Sequence, residues 1–554
     1  MTGTRRKAAG VALAASALVL LTATVGLGAQ ASTRTTALSL AADEPPLVPV
    51  PRAQCGPGSI PEPGMQGRVP ADDVAAGGAE QGYRCNVEVV GREEGPGGFK
   101  VERYVDAAGR ECAYYDTTRV FPSDVVATLQ AGNSPGVAVL DMTDPANPVR
   151  TATLSTPAML TPHESLLVNQ RRGLIAAVAG NAAFQAGQVD VYDASADCRT
   201  PVLKSSLPVG ILGHESGFSP DGNTFWAASL GAGILTAVDV TDPSAPRTVY
   251  TGAHDTHAVT ISDDGNRAYL AAGAGFPRNE VGLPADVSGL VVLDVSEVQA
   301  REPSPEVTAV GSTTWSSVTI PQAALPVTIG GTPYLVEIDE FAYGDYAGQD
   351  GIKANGERVG AARIIDISDE TAPRVVSNLR LEVHQPENRA ALADDPGADS
   401  QTGGYAGHYC AVPQRAEPGI VACTFLASGL RVFDIRDPLA PKEIAYFVAP
   451  VPPGGPANSA FSSPSFSPAR NEVWYSDGES GFYALRLTNG VWPQAAAAAA
   501  PAAEVPAAAA PPATTAAAPA RRLPATGLAL PGVAVVVLLV GAVTVRLAAR
   551  RAST

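Results

Sequence analysis

Six histidines occur in the 554 residues, and four of them stand in one repeated setting. His163, His214, His257 and His408 open the frames HESLLVNQRRGLIAAV, HESGFSPDGNTFWAAS, HAVTISDDGNRAYLAA and HYCAVPQRAEPGIVAC. Neutral imidazoles that converge on one point can hold a divalent transition metal such as Zn²⁺, Cu²⁺ or Fe²⁺. Glu164 and Glu215, each next to one of these histidines, would then be carboxylate ligands or general bases. His254 lies three residues before His257, and His384 precedes the frame of His408, so both are expected to lean toward the same place. The competing reading is structural: a position inherited by duplication needs no function, and its imidazoles can bond water and backbone. That bland reading is the one the sequence favours.

The frames themselves read as hairpins. Two contain Asp-Gly between apolar runs, the strongest short hairpin signal. Apolar residues recur at the same two offsets: Leu167 and Ile175, Phe218 and Trp226, Ile261 and Tyr269, Val412 and Ile420. Two further frames carry Ala323 and Ser462 in the histidine place. Between the hairpins recurs a second phrase, VAVLDMTDPANP at Asp141, TAVDVTDPSAP at Asp239, RIIDISDETAP at Asp366 and RVFDIRDPLAP at Asp434. Degraded copies stand at Asp193 and Asp294, and a last one puts Arg486 in the Asp place. β-Branched alternation makes a strand, the Asp residues accept turn N–H groups, and the second Pro opens the next strand. Turn chemistry explains these Asp residues without calcium.

Hairpin, Asp-Pro strand and Pro-led strand make four antiparallel strands, the unit of a β-propeller. The chain is therefore expected to be all-β: one propeller of about seven four-stranded blades over residues 84–490. Phe99–Tyr104 and Glu111–Tyr115 form the first hairpin. The last repeat lacks its outer strand, and CNVEVV, Cys85–Val90, would supply it and close the ring. The first strand of each blade is innermost, so the four histidines would ring one mouth of the channel. The Asp-Pro phrases resemble the LVIVD repeats of secreted bacterial proteins, which implies a propeller and no particular activity. The His-lined channel is similar in geometry to that of the selenium-binding proteins.

Both ends read as addresses. Residues 1–31 carry Arg5, Arg6 and Lys7, an apolar run and a small-residue cleavage site, the pattern of a signal peptide. Leu523, Pro524, Ala525, Thr526 and Gly527 precede an apolar span at 528–547 and a basic tail at 548–554. This order resembles the sorting signal of Gram-positive wall proteins, which implies a membrane span held until sortase cleaves after Thr526 and joins it to peptidoglycan. An Ala/Pro-rich stalk at 491–522 would space the folded part from the wall, and the Pro/Gly-rich segment 32–83 would wrap the surface or stay mobile.

Composition bounds the function. Charged residues are 17% and the net charge is −17, so no basic face awaits a nucleic acid. Loss of the six basic residues in the two signals makes the mature chain −23. G-x-S-x-G, H-E-x-x-H and the P-loop are absent. The insertion 339–360, with Asp339, Glu340, Tyr343, Asp345, Tyr346 and Asp350, is expected to be a solvated acidic loop, the rival reading being a Ca²⁺ or partner site. Cys410 and Cys423 face each other across one hairpin and should form a disulfide. Cys55 with Cys85 and Cys112 with Cys198 is the preferred pairing of the rest, among three connectivities that the sequence leaves open. The expected function is an exported, wall-anchored, non-catalytic module that binds an unidentified protein or glycan. The alternative is a metal-dependent extracellular oxidoreductase or lyase built on the histidine ring.

Overall fold

The Asp-Pro phrase ends a strand because its Asp captures the turn that follows. In six copies the Oδ1 atom accepts the N–H two residues on, at 2.8 to 3.1 Å: Asp141 from Thr143, Asp193 from Ser195, Asp239 from Thr241, Asp294 from Ser296, Asp366 from Ser368 and Asp434 from Arg436. The Asp-Gly turns use the same device, with Asp221 and Asp264 accepting from Asn223 and Asn266. Gly222 and Gly265 there have φ of 73° and 80°, which a side chain would strain. These details come from a computed structural model that describes residues 44–118, 135–180, 187–229, 233–254, 256–272, 288–343, 352–353, 358–398 and 404–492.

The strands so punctuated form antiparallel sheets of four. Val101–Val105, Glu111–Asp116, Val137–Asp141 and Val149–Leu154 make the first. Sheets beginning with Leu167–Asn169, Gly217–Phe218 and Ala258–Ile261 repeat the meander. Two further runs of four begin with Ile320–Ile329 and Gly407–Ala411, and one parallel pairing, Glu340 with Gly407, joins them into a larger sheet. The last sheet comprises Ser465–Ser467, Glu472–Asp477 and Gly481–Leu487, with Val87–Glu93 as its fourth strand. The architecture is all-β and propeller-like. Each neighbouring pair of sheets shares an apolar core, as Tyr114 and Val139 of the first do with Leu166 and Ile175 of the second. The last sheet shares one with the first, where Trp474 and Phe482 meet Val101 and Leu140. Burial of these faces supplies most of the driving force, at roughly 25 cal/mol per Å² of apolar surface.

Two expectations are corrected and one pair of alternatives is decided. Cys85–Val90 is not one strand. Cys85 ends a separate strand, Tyr83–Cys85, on the edge of Lys442–Val448, and the chain breaks at Asn86, with φ of 56°. The Asn86 amide explains the break, because its Nδ2 donates to the carbonyls of Gln54 and Ile444 at 2.9 and 2.8 Å. The segment from Glu44 onward does wrap the surface, tied by Arg52 to Glu382 and by Arg68 to Asp395. Finally, Val491 and Trp492 are not stalk, since both pack on the last sheet, Trp492 edge-on to Phe466 at 5.5 Å.

The signal peptide, the stalk beyond Trp492, the Leu523–Gly527 motif, the span 528–547 and the tail lie outside the described residues, as do Asp345, Tyr346 and Asp350. Among the described residues no helix is long and apolar enough to cross a membrane. All three expected disulfides are present, Cys55–Cys85, Cys112–Cys198 and Cys410–Cys423, the last between register partners.

Candidate functional site

Each of the four register histidines enters from the start of the first strand of its sheet. His257 immediately precedes Ala258–Ile261, His408 lies within Gly407–Ala411, and His163 and His214 precede Leu167–Asn169 and Gly217–Phe218 by a few residues. His163 needs a special backbone to reach inward: its φ is 52°, and Gly180 leaves room where a Cβ would meet the His163 Cβ at 2.4 Å.

The side chains converge. The Glu164 carboxylate is the hub: Oε2 lies 3.0 Å from His214 Nε2 and 3.7 Å from His257 Nε2, and Oε1 lies 3.4 Å from His408 Nε2. His214 and His257 bring their Nε2 atoms to 2.6 Å. A His163 ring nitrogen, a Glu164 oxygen and a His214 ring nitrogen lie within 4.8 Å of one another. A second carboxyl, Glu340, approaches His257 Nε2 at 3.4 Å and His408 Nε2 at 3.7 Å. The other faces of two rings are spoken for. His257 Nδ1 donates to the Pro321 carbonyl at 2.8 Å, and His408 Nδ1 donates to that of Phe461. A carbonyl only accepts, so Nδ1 carries a proton on both rings and Nε2 is the atom turned inward, the one an imidazole so oriented offers to a metal.

Burial decides the charge states. Burial first, then the neighbouring His214, hold His163 and His257 down at about 3, so both are neutral near pH 7. Burial also resists ionisation of Glu164, but the charge and hydrogen bond of His214, with the bond from His408, outweigh it and hold the carboxyl well below its ordinary value. Glu340 goes the other way. Burial, then the charges of Glu164 and Asp339, push it well above its ordinary value, so the two neighbouring carboxyls are shifted in opposite directions. Phe99 covers His163 at 4.6 Å and Phe461 covers His408 at 4.9 Å, which keeps the cluster apolar around its rim.

A second layer orients the hub. Gln322 Nε2 donates to Glu164 at 2.7 Å and to Tyr409 Oη at 2.9 Å, and Tyr409 donates to Glu215 at 2.9 Å. Glu215 is therefore not a neighbour of the imidazoles in the way Glu164 is, because Lys100 claims it at 2.6 Å. His384 is not in the cluster: its Nδ1 accepts the Leu381 N–H at 3.0 Å and its Nε2 meets the Tyr405 carbonyl at 2.9 Å. His254 pairs through Nε2 with Tyr250 at 2.6 Å, a residue of the outer strand Arg247–Ala253. Nor are Asp339 and Glu340 part of a solvated loop. They end the strand Thr332–Glu340 and are buried, Asp339 held at 3.0 Å by Arg363 and at 2.9 Å by the Trp315 indole N–H.

Gln322, Tyr409 and Lys100 escaped the sequence reading, and Glu340 was read as part of an acidic loop rather than as a neighbour of the histidines. Glu340 had one available signal: it belongs to the sheet whose histidine place is taken by Ala323, so a donor from its second strand substitutes for the missing one. Fold and site together define a β-propeller-like protein with an axial imidazole–carboxylate cluster. No protein family matches the chain, and no curated protein is similar to it in sequence. Among solved structures it is similar to hydrazine synthase of Kuenenia stuttgartiensis, with a TM-score of 0.41 and 13% identity over 70% of this chain and 94% of that one. A protein from Lactobacillus plantarum gives a TM-score of 0.38 and 12% identity over 64% of this chain and 85% of that one.

Proposed function

We propose that the chain is an exported metalloprotein displayed on the cell wall, a closed ring of seven blades whose channel holds a divalent transition metal. The observation that carries this reading is the inward convergence of Nε2 atoms from His214, His257 and His408 on the Glu164 carboxylate. Neutral imidazoles and one carboxylate are borderline donors that suit Zn²⁺, Cu²⁺ or Fe²⁺ better than Ca²⁺ or Mg²⁺. His163 completes the donor set. The backbone carbonyls behind His257 and His408 orient the rings as outer partners of ligating imidazoles do. The 2.6 Å approach of His214 Nε2 to His257 Nε2 sets two potential ligand atoms side by side in a buried site.

The activity class that fits is a metal-dependent extracellular oxidoreductase or lyase. Glu340, kept as an acid beside the imidazoles, is placed to donate a proton to a bound group. This puts a metal centre ahead of the non-catalytic module that the sequence favours. Display remains part of the proposal, with sortase and peptidoglycan as partners through Leu523–Gly527 and the apolar span as a transient membrane anchor. The seven-blade ring is supported by shared cores between successive sheets and between last and first.

Elemental analysis of the purified chain is the test. About one Zn, Cu or Fe per chain is expected, with loss in the His214→Ala, His257→Ala double variant and retention in His254→Ala. Failure to retain any of the three metals after reconstitution rules out the centre.

A further inference from the structure

The channel also contains a cavity that the histidine cluster does not use. It encloses about 540 Å³ between inner strands, and none of the four register histidines, Glu164 or Glu340 lines it. That is the size range of small-molecule sites. Leu167, Phe218, Ile261 and Val412 give it an apolar wall beside polar side chains such as Asn169, Ser219 and Gln414, while its inner end holds Lys100, Glu102 and Glu215.

The charges at that end do not balance. Lys100 is committed: its ammonium lies 2.6 Å from Glu215 and 4.3 Å from the centre of the Tyr409 ring. Among the described residues Glu102 has no such cation. Its carboxylate accepts only a long backbone bond, 3.4 Å from the Val168 N–H. At the cavity rim Arg415 is likewise spent, 2.7 Å from Asp263. Arg171, the remaining cation of the lining, is exposed and makes no ion pair among the described residues, so at the inner end two carboxylates share one ammonium. A carboxylate in that setting is stabilised by a cation and penalised by an anion.

We propose that this cavity binds an organic ammonium ion, its head on Glu102 and its apolar body between Phe218, Ile261 and Val412. The site is distinct from the metal centre and does not rest on it. Lys100, Glu215 and Tyr409 form the layer between the two, with Tyr409 joined to the cluster through Gln322 and Glu164 and by its ring against that of His408 at 4.4 Å.

Calorimetric titration of the full chain at pH 8 with hexylammonium, and in parallel with hexanoate, tests the assignment. Hexylammonium should bind, and hexanoate should bind at least about tenfold more weakly, the scale of one charge-assisted contact. Glu102→Gln, which keeps shape and the acceptor for Val168, should lose about tenfold in hexylammonium affinity. Thr260→Trp, at a half-buried wall position, should abolish binding by filling the space. Equal binding of the two probes, unchanged affinity in Glu102→Gln, or no binding of hexylammonium to the wild-type chain overturns the proposal. Metal content measured on the same samples separates the two readings: a metal-free chain with Glu102-dependent binding sinks only the metal centre. A loaded chain that ignores hexylammonium sinks only this cavity.

Discussion

Two carboxyl groups meet the same imidazoles in opposite states, and the difference is one of partners. Glu164 accepts hydrogen bonds from Gln322 and the imidazoles, so its charge is compensated; Glu340 has burial and two neighbouring acids against it. Glu164→Gln removes the compensated charge and a ligand oxygen together. Metal affinity should fall by about 10- to 100-fold, read by competition with a chelator. Glu102 offers an independent residue-scale check. Burial, opposed by Lys100, raises its carboxyl from 4.5 to about 7. Between those values the unfolded chain releases this proton and the folded chain keeps it, so folded stability drops as pH rises through the window and levels above it. Urea midpoints of the wild type and Glu102→Gln from pH 4 to 8 should therefore shift steadily in favour of the variant up to about pH 7. The four register histidines were legible because duplication wrote them at one register. Glu340, Gln322 and Tyr409 were not, because each reaches the site from a different distance along its strand and only tertiary packing brings them together.

At the scale of elements, the repeated phrase carries its own geometry: Asp ends the strand, Pro opens the next, and the alternation between them buries one face against each neighbour. That is why the sheets could be read from the sequence nearly strand by strand. The closing strand could be foreseen but its start could not, since the kink at Asn86 depends on the carbonyls of Gln54 and Ile444, one of them 358 residues away. Joints between sheets are the other nonlocal feature. Cys112, in the first sheet, is bonded to Cys198, beyond the third strand of the second sheet, across 86 residues. In the chain-entropy account, a loop of that length stabilises by restricting the unfolded chain. Cys112→Ser with Cys198→Ser should cost about 2–5 kcal/mol, measured by denaturant unfolding, while the disulfide between register partners Cys410 and Cys423 closes a shorter loop and should cost less.

On the proposed reading the whole molecule combines a buried site with a display device, and the two make separate demands. A metal bound by buried histidines must be loaded where the chain folds, whereas the terminal addresses determine only where the folded part is held. The acidic chain, with net charge −17, favours cations over phosphate polymers at its surface, in keeping with the proposed metal site and ammonium cavity. If the Leu523–Gly527 motif directs sortase, then Thr526 carries the carbonyl transferred to the wall peptide, and its side chain is recognised before that transfer. Thr526→Ala should leave the chain in the membrane fraction, held by the apolar span at 528–547. The wild type should be released by a wall-degrading muramidase as a ladder of peptidoglycan-linked species. Removing residues 523–554 should instead send the chain to the medium with its metal content unchanged. Muramidase-released ladders from the Thr526→Ala chain would exclude the sortase route, and loss of metal on truncation would show that the anchor does more than hold the fold in place.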